Sequence, residues 1–124
     1  MLTLPVACDR QTAYATIQEG NVMNIRWMRT AQIKGGRTME AIAWSKEICG
    51  WAAKKHNVTV ETWLDTSGAI GTIRWTAEHA DMAAFDKSMT AVMMDQEYWR
   101  YVEKATKSEL FIDGVGVDTV MKKF

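Results

Sequence analysis

From Val58 to Thr76 apolar and polar residues alternate on both sides of a short polar break. Val58, Val60, Thr62 and Leu64 interleave with Thr59, Glu61, Trp63 and Asp65, β-branched and aromatic types that suit a pleated, half-buried surface. Asp65-Thr66-Ser67-Gly68 supplies the side-chain acceptors and the glycine that a hairpin turn uses, so residues 69–76 return as a second strand. A two- or four-residue loop puts Val58, Val60 and Leu64 on one face with Ile73 and Trp75. Glu61 and Trp63 then share the opposite face with Thr72 and Arg74, and Glu61 and Arg74 become diagonal neighbours of opposite charge. An odd-numbered loop would set Val60 against Arg74 and Glu61 against Ile73, a poor match.

Residues 1–20 are weakly patterned, an N-terminal arm in which residues 12–17 form either one more strand or a loose segment. Residues 22–31 alternate, Met23, Ile25 and Trp27 against Asn24, Arg26 and Met28, and predict the first firm strand. After Lys34-Gly35-Gly36, Thr38 is placed to cap a helix with Met39, Ile42, Cys49 and Ala52 as its buried stripe, ended by His56-Asn57. Gly50 within it suggests close packing on the sheet. Asp81 caps a second helix with Met82, Phe85, Met89, Val92 and Met93 facing inward, and Asp95 caps a third over residues 96–105 that packs through Tyr98, Trp99 and Val102. Residues 109–117 alternate and carry Gly114 and Gly116, predicting a last strand with a bulge or a close backbone approach. The plan is α+β and ferredoxin-like, βαββαβ, with one four-stranded antiparallel sheet and its helices on a single face. The face of Arg26, Trp63 and Arg74 is left uncovered, and tryptophan and methionine on an open face predict a partner.

The 124 residues suit one domain, which at this size buries about two-thirds of the unfolded surface. Fifteen basic and fifteen acidic residues cancel, with no like-charge run beyond Lys54-Lys55 and Lys122-Lys123, which argues against nucleic acid and against an anionic membrane as partners. No stretch approaches the roughly 18 apolar residues of a membrane span. Six tryptophans and nine methionines are many for this length, and such side chains serve cores, pockets and subunit contacts alike. Cys8 and Cys49 are far apart, without CxxC spacing or paired histidines, so neither a zinc site nor a disulfide framework is indicated and a reducing, cytoplasmic setting is expected. Leu4-Pro5-Val6-Ala7-Cys8 has the look of a lipoprotein cleavage site, but no apolar run or basic segment precedes it, and export is not expected.

Gly35-Gly36 before the first helix, Gly71-Thr72-Ile73-Arg74-Trp75 on the third strand, Asp81 and Phe85 at the second helix and Asp95-Gln96-Glu97-Tyr98 after it together resemble the dimeric α/β-barrel superfamily, over about residues 22–117. Gln96 departs from the Asp-Pro-Glu-Tyr that many members carry at that place. The resemblance implies a homodimer in which two protomers press their open sheet faces together into a barrel and enclose a cavity. It implies no single reaction, because members include cofactor-independent monooxygenases, haem-handling proteins, lactone isomerases and stress-responsive barrels.

Within such a barrel Arg26 and Arg74 point into the enclosed space, where a guanidinium holds a carboxylate or polarises a carbonyl. The alternative is an ion pair of these arginines with Glu61 or across the dimer. Met28, Trp63 and Phe111 are candidates for an apolar ligand wall, or for side chains that fill the barrel. His79, just after the third strand, is the candidate base and, less plausibly, a haem ligand; a solvated loop histidine is the plain alternative. His56 sits favourably against a helix dipole, and Tyr98 and Trp99 either close the cavity or pack helices. No paired carboxylates, Ser-His-Asp order, phosphate loop or clustered metal ligands occur in the sequence, so no metal and no resident cofactor is expected. The leading expectation is a homodimer that binds a small apolar molecule bearing a carbonyl or carboxylate. A cofactor-independent monooxygenase or isomerase is second, haem handling third, and a structural dimer with a filled barrel stands as the non-ligand reading.

Overall fold

The computed structural model describes residues 22–113 and 116–124. The N-terminal arm, with Cys8 and the optional strand at residues 12–17, lies outside the described residues, as does Gly114. In chain order the elements are β1 (Ile25–Gln32), α1 (Thr38–His56), β2 (Glu61–Leu64), β3 (Thr72–His79), α2 (Met82–Met93), α3 (Gln96–Lys107) and β4 (Val117–Lys122). The sheet runs β2-β3-β1-β4 with every neighbouring pair antiparallel, the ferredoxin-like order.

The hairpin has the even parity that the alternation requires: Leu64 pairs with Ile73, Thr62 with Trp75, Trp63 with Arg74 and Glu61 with Thr76. Its connection is longer than a tight turn, closing where the Asp65 N–H donates to the Thr72 carbonyl at 3.0 Å. Gly71 has φ +85, and a Cβ there would lie 2.8 Å from Nε2 of Gln32, whose amide donates to the Ile70 carbonyl. Both the backbone and the close approach therefore call for glycine at this position.

The final strand falls later than expected. Residues 109–113 do not form it: Leu110 is buried, and Phe111 makes a single bridge to Ile33 while its ring packs edge-on against Trp44 and Trp75. The apolar alternation read as a strand is thus a plug under the core. The true edge strand, Val117–Lys122, pairs with β1 through Thr30↔Val117, Met28↔Thr119 and Arg26↔Met121, and is mostly exposed, which erases the pattern that would announce it.

Ile33, Ala41, Ile73, Trp75 and Ala77 form the core between the sheet and α1, with Trp27 beside them. The buried stripe of α1 is Ala41, Ser45 and Ala52, whereas Met39, expected inside, is 75% exposed. Its N-cap is Arg37, without a side-chain bond, so Thr38 does not cap; Asn57 in the left-handed region ends it. Gly50 makes no close approach, since a Cβ there meets nothing within 4 Å. Asp81 and Asp95 do cap, accepting from the Ala84 and Glu97 N–H groups at 2.8 and 2.9 Å. The α2 stripe is only partly inward, Phe85 and Met89 packing on the core and Met82 and Met93 largely exposed. No helix among the described residues is long and apolar enough to cross a membrane.

Candidate functional site

The sheet has two unlike faces, and the candidate residues divide between them. Arg26, Met28, Glu61, Trp63 and Arg74 gather on the open face, around a concavity of about 680 Å³ completed by Asp65, Thr76 and Glu78. Arg26 reaches Glu78 across the β1–β3 pair, Nε to Oε2 at 3.1 Å, with Nη2 on the same oxygen. Arg74 forks onto Asp65, Nε–Oδ1 and Nη2–Oδ2 both at 3.0 Å, and donates through Nη1 to Oγ1 of Thr30 at 3.2 Å. The expected Glu61–Arg74 pair is therefore replaced by Asp65–Arg74. Asp65 sits across from Thr72 at the mouth of the loop, a diagonal neighbour of Arg74 on the other side, and its short side chain meets the guanidinium squarely. That bond holds the Asp65 carboxyl below its usual range and raises Arg74. Trp63 is 53% exposed, its indole N–H on Oγ1 of Thr76 at 2.9 Å. Both arginines are matched in charge within the protomer, so neither offers an unpaired cation to a carboxylate.

His79 and Phe111 lie on the other side. His79 is the last residue of β3, not a loop residue, and strand parity turns it under the helices with Ile73, Trp75 and Ala77. Phe111 is in the core, away from the open face where a ligand wall was expected. Between β1, β3, α1 and α2 is a cavity of about 120 Å³, with Tyr98 of α3 at its edge. Trp27, Trp44, Trp51 and Trp75 all line it. Each indole N–H is bonded away from it: to Asp118 at 3.3 Å, the Tyr101 carbonyl at 2.8 Å, Glu97 at 3.1 Å and Ser45 Oγ at 3.0 Å respectively. The wall they offer is carbon.

Three groups give this cavity polarity. His79 stacks edge-on against Phe85, ring centroids 5.4 Å apart, and burial pulls its pKa below the ordinary 6.5, so the imidazole is neutral at pH 7. Arg29 forks onto Asp118, at 2.7 and 2.8 Å, donates from Nη1 to the Tyr98 hydroxyl at 3.1 Å, and lies 5.3 Å from the Trp27 ring centroid. The bond to Asp118 raises the guanidinium pKa and lowers that of Asp118. Cys49 has its Sγ 3.6 Å from Oγ1 of Thr62, and burial pushes the thiol up, leaving it protonated. Arg29 was not singled out in the sequence, although Ile25, Trp27, Arg29, Ala31 and Ile33 share one parity and a lone charge on an otherwise apolar face is a signal.

His56, read as a helix-dipole residue, instead bonds Asp95 through Nε2 at 2.9 Å, tying the end of α1 to the cap of α3. Lys55 adds a 3.0 Å contact to the same carboxylate, whose pKa falls to about 2, chiefly through that lysine. Trp99 packs outside on Tyr98 and donates to the Met93 carbonyl.

No protein-family model matches this chain, and no curated protein matches it. Solved structures do. An uncharacterised NIPSNAP domain protein from Burkholderia xenovorans superposes with a TM-score of 0.66 at 12% identity, over 81% of this chain and 94% of that one. A NIPSNAP family protein from Agrobacterium tumefaciens, of unknown function, gives 0.63 at 16% identity over 82% and 91%. These structures share the ferredoxin-like fold of this chain. A conserved protein from Bacteroides thetaiotaomicron, described as a possible oxidoreductase, shares the fold at a TM-score of 0.58 and 11% identity, over 81% and 97%. At such identities the likeness is one of fold, and function has to be argued from the site.

Proposed function

We propose that this protein is a homodimeric α/β-barrel protein that binds a small, largely apolar molecule in each protomer, between the sheet and its helices. The observation that carries the reading is the cavity walled by the carbon faces of four tryptophans, with Arg29, Cys49, His79, Ser88 and Tyr98 as its few polar groups. This moves the ligand from the open face, where Arg26 and Arg74 are already paired, to the covered one. The open face is then the dimer contact: Trp63 and Met121 supply apolar area, and the Arg26–Glu78 and Arg74–Asp65 pairs can be covered without leaving a charge unmatched. Side chains that fill the barrel do not conflict with binding elsewhere in the protomer.

A second reading, an isomerase or cofactor-independent monooxygenase with His79 as base, is favoured by a neutral imidazole at the edge of an apolar cavity. Under it, His79→Ala depresses turnover with binding retained.

The test is titration with toluene, followed by tryptophan emission. A saturable change is expected in the wild type and its loss in Ser88→Leu, which fills the cavity from α2. A change that survives in Ser88→Leu places binding elsewhere and overturns the reading. Sedimentation of Trp63→Glu checks the dimer: a shift from dimer to monomer is expected, and an unaltered dimer rules out the open-face contact.

A further inference from the structure

The polar end of the helix-side cavity contains an arginine, which invites the reading of an anion site. Its bonding says otherwise. Of the five N–H donors of a guanidinium, three are engaged here, Nε and Nη2 with Asp118 and Nη1 with Tyr98. One N–H on each terminal nitrogen is left. The Tyr98 oxygen, acting as acceptor toward Arg29, keeps its own proton for a further acceptor. This end of the cavity is therefore rich in donors.

It is nonetheless electrically balanced. Asp118 stands behind the guanidinium, outside the lining, and matches its charge. Among the described lining residues, burial pulls the His79 imidazole below and pushes the Cys49 thiol above their ordinary ranges, so both are uncharged at neutral pH. A carboxylate at this end would meet no unmatched cation and would face Asp118 across the shared arginine. An uncharged oxygen acceptor would take the free donors without that cost. Size adds a second restriction: an apolar protein cavity of about 150 Å³ is known to hold one benzene, so this one, at about 120 Å³, encloses at most a single ring, and a carbonyl substituent has to extend to the Arg29 end, where that side chain is 34% exposed.

We infer that the cavity takes an uncharged, single-ring compound whose carbonyl oxygen accepts from Tyr98 and Arg29, and that it discriminates against the corresponding carboxylate. The inference rests on the cavity reading above and narrows it, removing the acid from the ligand class.

Calorimetric titration of the full-length protein at pH 8 with acetophenone, toluene and benzoate separates the two claims. Acetophenone should bind roughly three- to tenfold more tightly than toluene, the range a net hydrogen bond supplies, and benzoate more weakly than either. In Tyr98→Phe the preference for acetophenone over toluene should shrink while toluene affinity holds. Toluene binding without a preference for acetophenone, or benzoate binding as well as acetophenone, overturns this inference and leaves the cavity reading intact. Binding of none of the three overturns both. The wild-type ratios decide the matter independently of whether the Tyr98→Phe chain folds.

Discussion

Ser45 holds the floor of the proposed cavity, and its removal has a calculable cost. Its hydroxyl is fully buried, accepts the Trp75 indole N–H at 3.0 Å and donates to the Ala41 carbonyl at 2.8 Å. Ser45→Ala leaves the Ala41 carbonyl with its helical partner but strands the Trp75 N–H in the core, a penalty of about 1–3 kcal/mol. Alanine returns about 0.5 kcal/mol through helix propensity. The net is a destabilisation of about 0.5–2.5 kcal/mol, to be read from urea denaturation at unchanged slope. At about 3–5 °C per kcal/mol for a domain of this size, it should appear as a loss of roughly 2–12 °C in the thermal midpoint. The same substitution in a Trp75→Phe background should cost nearly nothing, because no N–H is left to strand. Equal costs in both backgrounds, or none in either, would show that Ser45 does not anchor the indole.

Gly50→Ala should stabilise the protein by about 1 kcal/mol, since the position is exposed within α1 and an added methyl meets only open space; chemical denaturation reads the gain. Asp95 titrates at about 2 in the fold against an ordinary 3.8. Folding therefore favours its charged form, and the stability it contributes is present above pH 4 and is lost as pH falls from 3.8 toward 2. Asp95→Asn, which keeps a competent cap, should flatten that limb of the stability profile measured by urea denaturation between pH 2 and 5. Asp81→Ala should cost about 1 kcal/mol by removing the bond to the Ala84 N–H, with circular dichroism on heating as the readout.

The period-two pattern of the hairpin was enough to assign the faces of β2 and β3, because a one-residue slip would exchange Ile73 and Trp75 for Arg74 and Thr76. Helix caps were legible where a carboxylate does the capping, at Asp81 and Asp95, and illegible at Arg37, which caps by backbone alone. The last strand was misplaced because an exposed edge strand carries no burial pattern, while Leu110 and Phe111, buried as a plug, do carry one. The site was legible in part. Parity put Arg26, Met28, Trp63 and Arg74 on one face, but sequence does not reveal that Glu78 and Asp65 already occupy the two arginines. Nor does spacing reveal that four distant tryptophans turn their N–H groups outward around one cavity, a fact of tertiary packing alone.

The most direct test is a crystal structure of the protein soaked with acetophenone. Density for one ring is expected on the helix side of the sheet, between Trp75 and α2, with its oxygen at Tyr98 and Arg29. Density on the open face beside Arg26 and Arg74, with the helix-side cavity unaltered, would contradict the account.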